Sequence, residues 1–286
     1  MRGQLGRQTS SAGDKIALRR DDVIWRHCSV IMTTHAQAKP TSNAETLPLR
    51  DRHRREMNCQ IVHDSIHSRP GWTTTNLLEF GGEPAGFGSI AIGGPWTGKP
   101  TIFEFYVAPS HRAHGFDLFE ALLAASGARH MEIQSNDTLL AVMFHTYARD
   151  MESEKIVFHD QLTTALPSPE AKLRCTMPET DIKRSIEERQ GGPEWVLEVN
   201  GHPAGKGGIL FHYNRPYGDI YMEVNEPFRR RGLGSYLVQE LKRAAYDLGA
   251  IPCARCNPTN IASRRTLQKS GFVPFAHILN GVIPAG

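Results

Sequence analysis

Apolar and polar residues recur with two periods along this chain, and the switches between them mark its elements. Between 47 and 66 the apolar residues Met57, Ile61, Val62 and Ile66 share one helical face, with Arg50, Arg52, Arg54 and Arg55 elsewhere. Runs rich in β-branched and aromatic residues predict strands at 75–80, 86–92 and 101–107. Phe116, Phe119, Leu122 and Leu123 predict a helix over 116–126, followed by a strand at 130–134 and a helix over 137–148. Residues 155–176, with Pro167 and Pro169, read as a strand and a linker. Beyond it the plan returns: strands at 173–177, 195–199, 207–213 and 218–224, and helices over 179–189 and 229–248. A short strand at 251–256 precedes a helix that Asn257 caps, Pro258 opens and Gly271 ends. Residues 1–46 lack sustained periodicity, are rich in Ser, Thr, Gln and Arg, and are expected to be a disordered extension.

The order of elements recurs, and so do short motifs. Gly82-Glu-Pro-Ala-Gly86 matches Gly201-His-Pro-Ala-Gly205, and Tyr106-Val107 stands where Glu223-Val224 stands later. Arg112-Ala-His-Gly115-Phe-Asp117 aligns with Arg229-Arg-Arg-Gly232-Leu-Gly234. Two similar units in one order imply a tandem duplication, placing the first unit at 47–168 and the second at 169–286.

The stretch 220–248 of the second unit carries the candidate chemistry. A strand runs into a basic, glycine-bearing turn and then a helix with Leu233, Leu237, Leu241, Ala244 and Leu248 on one face; Gly249 stands at its left-handed end. The first turn of a helix has amide N–H groups without intrahelical partners, and the macrodipole puts partial positive charge there. Gly232 and Gly234 carry no β-carbon, so an anion can reach the backbone; Arg229, Arg230 and Arg231 add charge. Each dipole contact is worth only ~0.3–1 kcal/mol, so several amides must act together. In the first unit Asp117 replaces the second glycine, and one arginine replaces three. That unit is expected to keep the fold and bind an anion poorly or not at all.

Arg229-x-x-Gly232-x-Gly234 resembles the pyrophosphate-binding signature of the GCN5-related N-acetyltransferases (GNAT). The segment from Asn257 through Asn260, Ser263 and Leu267 to Gly271-Phe272 resembles that family's second signature, an Asn-led helix closing on Lys-x-Gly-Phe. The resemblance implies two tandem GNAT-like domains of the α/β (α+β) class, each a mixed, mostly antiparallel twisted sheet flanked by helices. It implies acetyl-CoA as co-substrate, its diphosphate at Arg229, Arg230, Arg231, Gly232, Leu233, Gly234 and Ser235. Pantetheine contacts would fall at Asn260 and Ser263, and a backbone N–H near Val224 would polarise the thioester carbonyl. The implied reaction is direct attack of a primary amine on the thioester. The family's frequent tyrosine before Gly-Phe is Leu267 here, so a general acid would be water, Tyr221, Tyr236 or Cys256.

Alternation on the strand puts Asp219, Tyr221 and Glu223 on one face and Ile220, Met222 and Val224 on the other. Glu223 is the first candidate for general base and Asp219 the second, each with an ion pair to Arg229 or Arg255 as the alternative. Arg264 is a candidate for the nucleotide phosphate, or a solvated helix residue. A non-enzymatic acyl-CoA sensor or scaffold is the rival reading, motivated by Leu267 and the altered first unit.

Composition narrows the alternatives. A chain of 286 residues, 40% hydrophobic and 22% charged, suits two globular domains. Its net charge of +3 argues against nucleic-acid partners. No apolar run of about 18 residues occurs, so no membrane helix is expected. Five cysteines without a regular framework suggest reduced thiols and a cytoplasmic protein. Cys253-x-x-Cys256 is at most half a metal site, and no metal is expected. Gly93-Gly-Pro-Trp-Thr-Gly98-Lys99 imitates a P-loop, but Pro100 replaces the required Ser/Thr and a strand follows. The acceptor is expected to be a small-molecule or peptide amine, and the protein a monomer acting as an internal pseudo-dimer, or a homodimer.

Overall fold

The computed structural model describes residues 35–60 and 64–285. Two successive sets of elements build it. The first comprises β1 (Ala36–Thr41), α1 (Asn43–Met57), β2 (Thr73–Phe80), β3 (Glu83–Ala91), β4 (Thr101–Val107), α2 (Gly115–Ser126), β5 (His130–Gln134), α3 (Thr138–Tyr147) and β6 (Arg149–Asp160). The second comprises β7 (Ala171–Cys175), α4 (Glu179–Glu188), β8 (Glu194–Val199), β9 (His202–Leu210), β10 (Tyr217–Val224), α5 (Leu233–Asp247), β11 (Ile251–Cys256), α6 (Ile261–Lys269) and β12 (Phe272–Val282). Among the described residues no helix is long and apolar enough to cross a membrane.

All twelve strands form one sheet in the order β1-β2-β3-β4-β5-β12-β6-β11-β10-β9-β8-β7. The order reads alike from both edges about the β12–β6 pair. Neighbours are antiparallel except β4–β5 and β10–β11, which are parallel. The last strand of each set lies in the other half: β12 pairs with β5, and β6 pairs with β11. Packing follows the exchange. Ile156 and Phe158 of β6 join the core of β7–β11, while Leu279 and Ile283 pack with the core of β1–β5.

The duplication seen in the motifs is visible in atoms. Arg112 Nε donates to Val107 O at 3.1 Å, and Arg229 Nε to Val224 O at 2.9 Å. Ala108 N–H donates to Ala85 O at 2.8 Å, and Asn225 N–H to Ala204 O at 2.9 Å. Register shifts follow Leu78 and Leu197 at matching points of the β2–β3 and β8–β9 hairpins.

Several expectations need correction. Residues 35–46 are not a disordered extension: β1 pairs antiparallel with β2 in register, and α1 begins within that stretch. Pairing along the sheet edge supplies what periodicity did not show, and a capping box fixes the helix start. Ser42 Oγ accepts from Glu45 N–H while the Glu45 side chain reaches back to the Ser42 N–H. Residues 1–34 lie outside the described residues, as do Ile61 and Val62. α1 ends at Met57, where Asn58 turns left-handed at φ 50°. Its buried face is largely polar, formed by Thr46, Arg50, His53 and Met57. The helix expected from Asn257 begins at Ile261, because Asn260 is the residue whose side chain accepts from Ser263 N–H. Thr101 opens β4 directly after the glycine-rich loop, which leaves no helix for a P-loop.

The crossing from β6 into the second half is held by α5. Lys242 Nζ, on a side chain only 6% exposed, pairs with Asp160 Oδ1 at 2.5 Å and donates to Leu162 O and Ser270 O. Gln239 adds bonds to Thr164 and Leu166. Removing one partner of a buried pair leaves an uncompensated charge, so Lys242→Ala is expected to cost about 3–5 kcal/mol. Urea denaturation checks this; a loss below about 1 kcal/mol would show that the anchor is dispensable.

Candidate active site

β10 leads into a single 3₁₀ turn, Glu226–Phe228, and then into α5. Two left-handed residues, Arg230 at φ 62° and Gly232 at φ 82°, bend the chain onto the helix axis. Gly232 is the N-cap and supplies no capping side chain; the first intrahelical bond there is Tyr236 N–H to Gly232 O, at 3.1 Å. The N–H groups of Leu233, Gly234 and Ser235 precede that bond, and all three residues line a cavity of about 570 Å³. Met222, Glu223 and Val224 form a second wall, and Asn260, Ser263, Arg265 and Thr266 a third. A β-carbon on Gly234 would lie 3.3 Å from Thr266 Cγ2 and 3.5 Å from Met222 Cε. A β-carbon there would fit only if Thr266 gave way by a few tenths of an ångström, and any longer side chain would enter the cavity.

The three arginines of the turn separate. Arg229 is tied to the end of β10 through Val224 O but still lines the cavity, as does Arg230. Arg231 does not: its guanidinium lies over the Phe228 ring and 3.9 Å from Glu170. On α6 it is Arg265, not Arg264, that lines the cavity. Lys269 Nζ lies 4.0 Å from where a Gly232 β-carbon would stand, a second cation that the sequence reading missed. Spacing offered the signal: Ala262, Arg265, Thr266 and Lys269 share one side of α6.

A second cavity of about 510 Å³ adjoins the first and shares Met222, Asn260 and Ser263 with it. It opens where β10 and β11 part company, since their pairing ends at Ile220 opposite Ala254. The register of β10 on β9 is unbroken from Asp219 to Val224, so the alternation of faces holds. Asp219 and Glu223 differ sharply in surroundings. Glu223 is exposed at the mouth of the first cavity. Asp219 lies in the cleft with its side chain 4% exposed, and its Oδ2 accepts from Arg255 Nε at 3.1 Å. Its Oδ1 is buried without a hydrogen-bond partner. Burial pushes the Asp219 carboxyl up to about 6, against the pull of Arg255.

The candidate acids also separate. Tyr221 lines the cleft and donates to Glu194 Oε2 at 3.0 Å; burial and that carboxylate push its hydroxyl up to about 12. Cys256 lines the cleft too, with its thiol raised by burial, and so does buried Leu267. Tyr236 lines neither cavity. Cys253 and Cys256 belong to different hydrophobic clusters on β11, so they do not face one ion together.

The matching turn of the first half is built otherwise. Its 3₁₀ helix, Pro109–His114, runs straight into α2, and Gly115 is right-handed at φ −58°. The His114 ring stacks on Phe80 at 3.6 Å, with Nδ1 3.8 Å from Asp117 Oδ2. On β4, Glu104 stands where β10 has Tyr221, and buried ion pairs surround it. Arg50 lies 3.3 Å and His67 3.0 Å from its two oxygens, and His53 pairs with Asp137 at 2.7 Å. Burial raises the Glu104 pKa, but Arg50 and His67 outweigh it and hold the carboxyl well below its ordinary range.

The family model described as "Acetyltransferase (GNAT) family" matches residues 158–272. That segment is a GNAT domain. Solved structures extend the likeness of fold to both halves. A GNAT-family acetyltransferase from Colwellia psychrerythraea superposes with a TM-score of 0.64 at 12% identity, covering 87% of this chain and 100% of its own. A tandem GNAT protein from the clavulanic acid biosynthesis pathway gives 0.56 at 13%, covering 88% and 99%. A GCN5-related N-acetyltransferase from Sphaerobacter thermophilus gives 0.54 at 15%, covering 88% and 97%. No curated protein matches the sequence. The GNAT fold accounts for a mostly antiparallel sheet in each half and for the parting of one parallel strand pair per half.

The buried carboxyl of Asp219 has a consequence for stability. Its folded pKa of about 6 exceeds the ordinary 3.8, so the folded state holds the proton more tightly. Stability is therefore lost as pH rises from about 4 to about 6, by on the order of 3 kcal/mol, and is flat above. Unfolding free energies at pH 4, 5 and 7 are expected to fall by that much more in the wild type than in Asp219→Asn. Equal pH slopes in the two proteins would contradict the burial of this charge.

Proposed function

We propose that this protein is an N-acetyltransferase carrying the acetyl group of acetyl-CoA to a primary amine, by direct attack of the amine on the thioester. One observation carries the reading: a helix start with open N–H groups lines one cavity, and the cavity adjoining it holds a buried carboxyl with an unpartnered oxygen. Several features fit an acyl-CoA. Gly234 puts no side chain between the open N–H groups and the cavity. Three N–H groups at a helix start, with Arg229, Arg230 and Arg265 around them, suit a diphosphate. Asn260 and Ser263 border both cavities and would flank the pantetheine arm. Acetyl-CoA would supply an activated acyl carbon to the cleft.

The residues of the chain then have definite tasks. Asp219 Oδ1 accepts the proton that the ammonium must lose before it can attack, directly or through one water. A carboxyl poised near 6 is a stronger base than an ordinary aspartate and is still ionised at neutral pH. Glu223, in its exposed position, is the weaker candidate. A backbone N–H near Val224 would polarise the carbonyl as charge develops on its oxygen. The N–C bond forms as the C–S bond breaks, and the second proton shed by the nitrogen passes through water to the leaving thiolate, because Leu267 supplies none. We assign diphosphate binding to the second copy (169–286) and a supporting role to the first (47–168), whose turn lacks the left-handed residues. The rival, an acyl-CoA sensor without turnover, is favoured by Leu267 and by the Asp219–Arg255 pair.

Calorimetry with CoA is expected to find one site per chain, abolished in Gly234→Asp while the circular dichroism stays native. Two sites, or binding unaltered in the variant, would refute the assignment of the turn. Release of CoA thiol across a panel of amines separates enzyme from sensor. Its rate is expected to rise with pH through an apparent pKa near 6, the value of Asp219. In Asp219→Asn that limb should vanish with a loss of about 10²–10⁴-fold. An unchanged profile there, with a lost limb in Glu223→Gln, would transfer the role to Glu223.

A further inference from the structure

The first half reaches Asp219 through one loop of the second. Residues 211–216 join β9 to β10, and Tyr213 and Tyr217 pack with Cys253, which stands directly opposite Asp219 on β11. Three bonds tie this loop to the end of α1 and the segment after it. Asn214 Nδ2 donates to Cys59 O at 2.8 Å, the Tyr217 hydroxyl donates to Asn58 Oδ1, and Ser65 N–H donates to His212 O at 3.3 Å. Asn58 is itself fixed within the first half. Its N–H donates to Arg54 O at 3.1 Å, and Asn136 Nδ2 donates to both Met57 O and Asn58 O. Asn214 is buried, where water competes little for its bond. The same loop touches the site. Buried Tyr213 lies beneath the Arg255 guanidinium, its ring centroid 4.6 Å from Arg255 Cζ, and Arg255 Nε donates to Asp219 Oδ2 at 3.1 Å. An aromatic face under a guanidinium attracts it and limits where it can turn. Other groups stand near the carboxyl without bonding it: Cys253, Tyr221, which donates to Glu194, and Glu154 and Lys155 of β6, which pair with each other. Among the described residues Arg255 is the one partner of Asp219.

We propose that the first copy positions the general base of the second: the end of α1 grips the β9–β10 loop, Tyr213 of that loop seats Arg255, and Arg255 holds Asp219. The task of base rests on the acyltransferase reading, whereas the positioning can be read without turnover. With Oδ2 engaged by Arg255 the carboxyl is fixed in rotation, and Oδ1 is left as the oxygen that can take a proton. Tyr213 and Arg255 are positioning residues here. Asn58 and Asn214 line neither cavity of the site, so any effect they have on Asp219 passes through the loop. Removing the charge of Arg255 favours the neutral carboxyl, and loosening its seat does so in part. Each cut along this chain of contacts therefore raises the pH at which Asp219 titrates.

Carbon NMR of the full chain, labelled at its aspartate carboxyls and with Asp219 assigned through Asp219→Asn, reads that midpoint directly. Arg255→Met is expected to raise it by about 1–3 pH units. Tyr213→Leu stays apolar but offers no ring face, and should raise it by about half a pH unit or more; Tyr213→Phe should keep the wild-type midpoint. Asn58→Gly combined with Asn214→Ala keeps the left-handed turn and cuts both side-chain ties. That pair should raise the midpoint in the wild type and add nothing in an Arg255→Met background. An unmoved or lowered midpoint in the pair, an equal rise without Arg255, or Tyr213→Phe behaving as Tyr213→Leu would overturn the proposal. Release of CoA thiol with no amine would instead sink the acyl-transfer reading, and the midpoints would still decide the positioning.

Discussion

The exchange of β6 and β12 at the centre of the sheet is the constraint on which the rest depends. Without it each half would end in an open edge at β5 or β11, with unpaired backbone groups facing its twin. With it, β6 is paired on both sides, by β12 and β11, and its side chains fill the second half's core. The strand that completes the GNAT half therefore belongs to the preceding copy. A cleft at the β10–β11 parting is bounded on one side by Glu154 and Lys155, residues that no isolated second copy would contain.

Duplication followed by divergence is legible in what the two turns share and where they differ. Both keep the arginine that closes onto the carbonyl ending the preceding strand, which fixes the turn in space. Only the second turn then passes through two left-handed residues to present open amides. The first buries charge instead: Arg50, Glu104 and His67, with His53 and Asp137, form paired groups deep under α1. Such pairs are expensive to desolvate and worth little as net stabilisation, yet breaking one is costly. They fit a half kept for shape and support.

Periodicity revealed most elements because one-sided strands and helices declare their buried face. It failed where another force sets the structure. β1 is a short edge strand whose place is fixed by pairing with β2, and β12 alternates irregularly because its register on β6 slips three times. The helix α1 was expected, but its buried face was not, because Arg50 and His53 look like surface residues until their partners are known. The turn after β10 was legible as a motif, but not the fate of each arginine, since Arg231 turns to Glu170 and Phe228. Asp219 and Glu223 looked equivalent by alternation; burial beside Arg255 separates them.

Electron density from crystals grown with CoA tests the central claim most directly. The diphosphate is expected against the N–H groups of Leu233, Gly234 and Ser235, with the thiol end in the gap between β10 and β11. Density for the diphosphate at the turn after β4, or for the thiol away from Asp219, would contradict the division of roles between the two halves.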